Sequence, residues 1–317
     1  MLALRVDKRG VAVKDIDLPE RGPEALVRVV LSGICNTDLE IARGYASFKG
    51  TIGHEFVGIV EAADDNSWLG QRVGGEINAG CGECDLCRVG DPRHCPKRTV
   101  LGIVGRDGAH AEFLKLPIGN LLPIPDNIVD EHAVFAEPLA AACGILERAE
   151  VTRGKKVAVI GDGKLGLLCA QVLALTGAEV LLIGKHAEKL RIAERRGIET
   201  ATSRKAAKRK NDFDVVVEAS GSASAFGIAL DLLRARGVLV LKSTFEGTTE
   251  INAARLVVDE ISVVGSRCGR FPPALDLLRT GAIDVDSLIS EEHPLSRGVM
   301  AMERAGKKGV LKVFLRP

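Results

Sequence analysis

Short runs in which apolar residues alternate with polar ones occupy the first part of the chain, broken by Gly and Pro. Residues 25–31 (ALVRVVL), 56–61 and 111–116 read as strands, and many short strands with turn signals predict a β-rich, barrel-like unit. After Asn127 the period changes. Residues 130–148 have helical spacing, and from Lys156 onward apolar runs and helical stretches alternate: 157–160, a buried helix over 165–178, 180–183, 214–218, 226–233, 238–241 and 261–264. Strand–helix–strand repetition predicts a doubly wound parallel sheet. The last stretch, 271–317, holds two helical patterns and a closing strand over 310–315. No internal repeat at solenoid periods is present.

Length then sets the domain count. At 317 residues, two domains are expected. Forty-three Lys and Arg against 42 Asp and Glu leave a net charge of +1, so no global field draws the chain to nucleic acid, a membrane or a polyanion. Aromatics are 3%, too few for base-stacking platforms. The longest charge-free stretch, 165–178, is shorter than a bilayer span, and the first nine residues carry no apolar core of a signal peptide. A soluble, cytoplasmic protein is expected. The basic run Arg204, Lys205, Lys208, Arg209 and Lys210 reads as a solvated face, with a nucleic-acid patch as the alternative.

Four of the eight cysteines cluster as C-x2-C-x2-C-x7-C at Cys81, Cys84, Cys87 and Cys95. Two-residue gaps let thiolates turn inward around one tetrahedral ion, and Gly80, Gly82, Gly90 and Pro92 supply the bends. Four thiolates close the coordination sphere, so a structural zinc is expected. An iron–sulfur cluster, given Cys95-Pro96, and plain buried thiols are the alternatives. His94 is expected to face solvent. Cys143 and Cys169, in apolar helical context, read as small core residues.

The apolar run 157–160 leads into Gly161-Asp-Gly163-Lys-Leu165-Gly166 and then an apolar helix. In that position Gly161 permits the tight turn, Gly163 lets a pyrophosphate approach the backbone, and Gly166 allows helix–strand packing. Leu165 begins the helix whose amides face the phosphates. The next strand ends at Gly184-Lys185-His186. Gly184 stands where an NAD site normally places a carboxylate, beside Lys185 and His186, so NADP(H) is expected over NAD(H).

Upstream lie Gly33-Ile-Cys35-Asn-Thr37-Asp38 and Gly53-His54-Glu55-Phe-Val-Gly58. With GICNTDLE, GHEFVG, the four-cysteine lobe, EPLAAA and GDGKLG in this order, the chain resembles the zinc-containing medium-chain dehydrogenases. The resemblance is to the branch with threonine, sorbitol and glucose dehydrogenases, and it covers nearly the whole length. It implies a GroES-like β-rich catalytic domain, residues 1–138 and 268–317 with a structural-zinc lobe over 80–96. A Rossmann dinucleotide domain, 139–267, is inserted between. It implies a catalytic zinc between the two, with Cys35 and His54 as ligands. Glu55 and Glu137 are the candidate carboxylates, one on the metal at a time, since both at once would leave a net negative site. Thr37 matches the hydroxyl that takes the substrate proton. Glu40 stands where many relatives carry a relay histidine, and is either the exit base or a surface carboxylate. Ser220, Ser243, Ser266 and Cys268 match positions bordering the cofactor, and Lys312 a basic residue reaching the pyrophosphate. A solvent-facing lysine on an edge strand is the alternative for Lys312.

The expected protein is therefore a zinc- and NADP-dependent alcohol dehydrogenase or carbonyl reductase. It would act on a small secondary alcohol, polyol, sugar or hydroxy-amino acid, with no nucleic-acid or membrane partner, as a homodimer or homotetramer. The chain is shorter than is usual for this family, with 45–50 and 66–73 trimmed. A pathway dehydrogenase for a large substrate, or a non-catalytic NADPH-responsive binding protein, are the rival readings.

Overall fold

The protein is described by a computed structural model covering residues 1–244 and 248–317. The chain divides into two compact units, Met1–Glu137 with Phe271–Pro317, and Pro138–Arg270.

In the first unit the strands Leu121–Pro123, Arg72–Gly75, Glu55–Ala62, Ala25–Ile34, Lys312–Arg316 and Ile289–Pro294 pair in that order, with Phe113–Leu116 also on Ala25–Ile34. Alternation drives the central strand: Ala25, Val27, Val29 and Leu31 are buried while Arg28 is exposed, and its β-branched side chains suit a pleated surface. A second sheet joins Leu2–Asp7 to Gly10–Asp15 and Gly50–Thr51. Leu4, Ile34, Ile41, Ile52, Val313 and Leu315 form one core with Ala301 and Met302 of the helix Gly298–Ala305. The strand Ile289–Pro294 has no hydrophobic alternation to announce it. It is an edge strand whose Glu291 and Glu292 pair with Arg304 and Arg316, the charged composition that blunts an edge.

The helical pattern over 130–148 resolves into Asp130–Ala133 and Ala136–Cys143. Pro138 offers no N–H to extend the earlier helix and is tolerated only in a first turn.

The second unit is a six-stranded sheet, parallel throughout, in the order Glu199–Thr202, Glu179–Gly184, Lys156–Ile160, Phe213–Glu218, Leu233–Leu241 and Ser262–Gly265. Chain order reverses between Lys156–Ile160 and Phe213–Glu218, the switch point at which such sheets bind ligands. Ala158, Ile160, Leu181, Val216 and Leu239 pack with Phe226 and Ala229 of the helix Ala223–Leu232. The buried helix runs Lys164–Ala174 rather than to 178. Thr176 Oγ1 donates to the Leu173 carbonyl at 2.7 Å, and Gly177 at φ +81° turns the chain out, a left-handed stop that glycine adopts without strain.

Candidate metal and dinucleotide sites

Cys35 follows the strand Ala25–Ile34 and caps the helix Asn36–Ala42, while His54 and Glu55 open the strand Glu55–Ala62. Register sets Glu55 opposite Gly33. A Cβ on Gly33 would lie 2.6 Å from Glu55 Oε2 and 2.8 Å from Val134 Cγ1, so only glycine leaves room for this carboxylate. The ligand atoms of Cys35, His54 and Glu55 lie within 4.8 Å of one another, with His54 and Glu55 buried. Glu55 Oε2 forms a buried ion pair with Lys312 Nζ, which also sits 5.5 Å from the Phe135 ring centroid. Glu55 Oε1 is buried with no hydrogen-bond partner among the described residues. A thiol, an imidazole and a carboxylate converging with one oxygen unspent is a donor set that fits zinc.

Behind the cluster, Asp38 is wholly buried and accepts from the backbone N–H of Cys35 at 2.8 Å and of Gly53 at 3.1 Å. His54 Nδ1 lies 3.4 Å from Asp38 Oδ1 and His110 Nε2 3.5 Å from Oδ2, with Ser32 Oγ 2.9 Å from His110 Nδ1. Burial works to raise the Asp38 pKa, but the imidazoles of His54 and His110 beside it outweigh that and hold the carboxyl far below its ordinary range. Burial likewise works to lower the His54 pKa, and Asp38 and Cys35 overcome it and raise it well above normal. Nδ1 lies 3.4 Å from Asp38, and a metal would bind the other ring nitrogen by displacing its proton, the carboxylate–histidine arrangement that orients a ligand.

Cys35 Sγ is 3.8 Å from Thr37 Oγ1. Glu137 lies on the helix Ala136–Cys143 and is not part of the group that Cys35, His54 and Glu55 form. Glu40 is paired with Arg43 at 2.6 Å, one turn along the helix, as a surface carboxylate would be. Lys312 corrects the sequence reading. Its strand is paired on both sides, its side chain is 1% exposed, and its ammonium is taken by Glu55. This geometry is not that of a solvent-facing lysine on an edge strand.

The ligand atoms of Cys81, Cys84, Cys87 and Cys95 also lie within 4.8 Å of one another, a second set that fits one ion. Cys84 Sγ and Cys87 Sγ are 3.6 Å apart, and the Cys81 N–H points to Cys95 Sγ at 3.4 Å. Backbone N–H groups of Glu83 and Cys84 draw the Cys81 thiol down to about 6. Gly82 and Gly90 take φ of +77° and +76°, the turns that such a knuckle needs. His94 is exposed. Cys169 is buried and its thiol is pushed up to about 12 by burial, while half-buried Cys143 rises to about 11 for the same reason.

In the second unit Gly161, at φ +123°, ends the strand Lys156–Ile160 beside Ala219, whose carbonyl oxygen would be 2.5 Å from a Cβ at 161. A Cβ on Gly166 would lie 1.9 Å from the Gly161 oxygen, whereas one on Gly163 would meet nothing within 4 Å. Gly163 thus leaves an open cradle at the head of the helix Lys164–Ala174, where it stands as a cap with no side chain to accept from the first-turn amides. Leu165 lies half-buried in that first turn. This fits a dinucleotide's pyrophosphate. Ser220, Ser243 and Ser266 follow the ends of neighbouring strands. Ser220 donates to Glu218 Oε1 through both N–H and Oγ, the Gly221 N–H donates to Ser243 Oγ at 2.8 Å, and Lys242 Nζ reaches Ser266 Oγ at 3.2 Å. Cys268 packs so closely on the helix Ala136–Cys143 that a Cβ at Gly144 would lie 2.6 Å from its carbonyl oxygen. Lys185 is exposed and His186 half-buried.

Residues 21–126 match the alcohol dehydrogenase GroES-like domain and residues 165–280 the zinc-binding dehydrogenase domain. The erythritol/L-threitol dehydrogenase of Mycolicibacterium smegmatis is 31% identical, over 96% of this chain and 94% of its own. This chain belongs to the zinc-containing medium-chain dehydrogenases. Among similar solved structures, a zinc-binding dehydrogenase from Sinorhizobium meliloti bound to NADP is 31% identical with a TM-score of 0.91, covering 100% and 99% of the two chains. RspB from Escherichia coli in complex with NADH is 26% identical with a TM-score of 0.91, over 100% and 99%. The chain is accordingly a zinc-dependent alcohol dehydrogenase, built from a GroES-like unit and a Rossmann unit. No helix among the described residues is long and apolar enough to cross a membrane.

Asp38 and His110 hold positions that sequence reasoning did not assign. Asp38 had a signal: an acidic third residue of a helix reaching back to its cap is a capping pattern, and its N–H partner is Cys35 of the candidate metal cluster. His110 had none, because the contact spans 72 positions between Asp38 and His110.

Proposed function

We propose that this dehydrogenase transfers a hydride between NADP(H) and a small polyol, sugar or other secondary alcohol, with one catalytic and one structural zinc. The observation that carries the reading is the cluster of Cys35, His54 and Glu55 with Glu55 Oε1 unspent. A zinc held there would supply Lewis-acid polarisation of the substrate oxygen, and the nicotinamide would supply or accept the hydride. The chain's own groups set the charge around that oxygen. A Cys35 thiolate and the Glu55 carboxylate would balance a divalent ion, and Lys312, paired with Glu55 Oε2, would add a positive charge that favours an anionic substrate oxygen. Thr37 takes the substrate proton, and Glu137 is the alternate carboxylate. The polyol class is supported by the erythritol/L-threitol relative.

The preference for NADP(H) is supported by the exposed Lys185 at the end of the strand Glu179–Gly184 and by the NADP-bound relative. Residues 1–138 and 268–317 would do the zinc chemistry and 139–267 hold the cofactor, in a cytoplasmic homodimer or homotetramer. The test is turnover of zinc-loaded protein across polyols, sugars, secondary alcohols and hydroxy-amino acids, with NADP and NAD in parallel. Activity should favour NADP and fall to background in Cys35→Ala, while NADPH binding persists. Equal dissociation constants for NADPH and NADH would overturn the cofactor preference, and turnover surviving in Cys35→Ala would overturn the metal assignment.

A further inference from the structure

The second residue of the glycine loop, Asp162, is an acid in a loop that fits a pyrophosphate, a placement that works against anion binding unless the side chain is turned elsewhere. It is turned to the end of the neighbouring strand. Asp162 Oδ2 accepts from the backbone N–H of Lys185 at 2.6 Å and of His186 at 2.7 Å, and both carboxylate oxygens lie 3.1 Å from His186 Nδ1. A Cβ built on Gly184 would lie 2.5 Å from Oδ2 and 2.6 Å from the Asp162 Cβ. The volume a side chain at 184 would occupy is therefore already filled by the Asp162 carboxylate.

Position 184 is where a dinucleotide fold ordinarily carries the acid that reads the ribose 2′-hydroxyl and repels a 2′-phosphate. Here the acid arrives from the glycine loop instead of from the strand. Burial works to raise its pKa, but the two N–H donors and His186 outweigh that and leave it below the ordinary carboxylate value, so it is charged at neutral pH. It also occupies two backbone amides that would otherwise be open to an anion.

We infer that Asp162 is the specificity-determining residue for the cofactor's 2′ position. Its carboxylate, held at the end of the strand Glu179–Gly184, lowers affinity for a 2′-phosphate below what Gly184 and Lys185 alone would give. The inference rests on the dinucleotide site of the proposed function, but not on which cofactor the wild-type chain prefers.

The test is equilibrium binding to the zinc-loaded full chain, read by protein and NAD(P)H fluorescence. Two probe pairs are compared, NADPH with NADH and 2′,5′-ADP with 5′-ADP, the second pair differing only in the 2′-phosphate. Asp162→Asn keeps the shape and an oxygen acceptor while removing the charge. It should raise the 2′-phosphorylated member of each pair relative to the other by about tenfold, the order expected for one unit charge near a partly exposed phosphate, with the gain shrinking at high salt. Asp162→Ser, which empties the Gly184 volume as well, should shift the ratios in the same direction. Ratios that stay within about twofold of wild type in either soluble variant, or that move toward the unphosphorylated probe, would overturn the inference and leave Asp162 as a turn cap. Wild-type preference for NADH would overturn only the cofactor choice proposed above, and absence of any nucleotide binding would overturn both.

Discussion

Lys312 and Glu55 form the buried ion pair of the metal cradle, each side chain 1% exposed. Removing one partner of such a pair strands the other charge away from water, at a cost of about 3–5 kcal/mol. Lys312→Met in metal-free protein should lower the unfolding free energy from urea denaturation by that order, and adding Glu55→Gln should recover most of the loss. Zinc-loaded Lys312→Met should lose less, because a cation beside Glu55 replaces the missing charge. Equal losses with and without zinc would mean that Glu55 does not face the metal. The sequence presented Cys35, His54 and Glu55 through the ordered motifs GICNTDLE and GHEFVG and the family resemblance they carry. It did not present Lys312 as Glu55's partner, because 257 positions separate them and only the pairing of their strands with Ala25–Ile34 brings them together.

At the scale of the element, the glycine loop separates two kinds of glycine. A methyl at Gly166 would collide with the Gly161 carbonyl at 1.9 Å, whereas at Gly163 it would meet no protein atom within 4 Å. Gly166→Ala should therefore destabilise the Rossmann unit by about 1–3 kcal/mol, as overpacking does, and weaken nucleotide binding with it. Gly163→Ala should leave the denaturation midpoint unchanged and still reduce NADPH affinity. If both variants changed stability alike, the cradle at Gly163 would not be an open one. Both glycines are legible from the strand–loop–helix pattern around them. The strand Ile289–Pro294 is not, since its charged residues satisfy the edge of a sheet rather than a core. The end of the helix Lys164–Ala174 also escaped the apolar pattern, which continued past a local Thr–Gly stop.

For the molecule as a whole, near-neutral net charge leaves acid stability to individual carboxylates. Asp214 accepts from the Lys156 N–H at 2.8 Å and pairs with Arg234, and although burial works to raise its pKa these contacts leave it below 3.8. A carboxylate depressed in the folded state contributes stability that is present above its unfolded value and is lost as pH falls through the folded one. The difference in urea midpoint between wild type and Asp214→Asn should thus be full at pH 6 and shrink steadily below pH 4. A difference that persisted unchanged at pH 3 would show that the asparagine acts through packing and not through charge.

Local chemistry was within reach of the sequence: the period of most elements, the glycines that turns demand and the four thiols spaced for one ion. These depend on neighbours along the chain, where spacing fixes geometry. Tertiary structure alone decided what lies between distant segments. It set Asp38 between two imidazoles, gave Glu55 rather than Glu137 to the cluster with Cys35 and His54, and turned Lys312 inward. It also filled the empty side-chain space of Gly184 with the carboxylate of Asp162. The physical reason is the same each time. A charge taken out of water must find its partner in space, and strand register, which no single segment encodes, determines which partner is there.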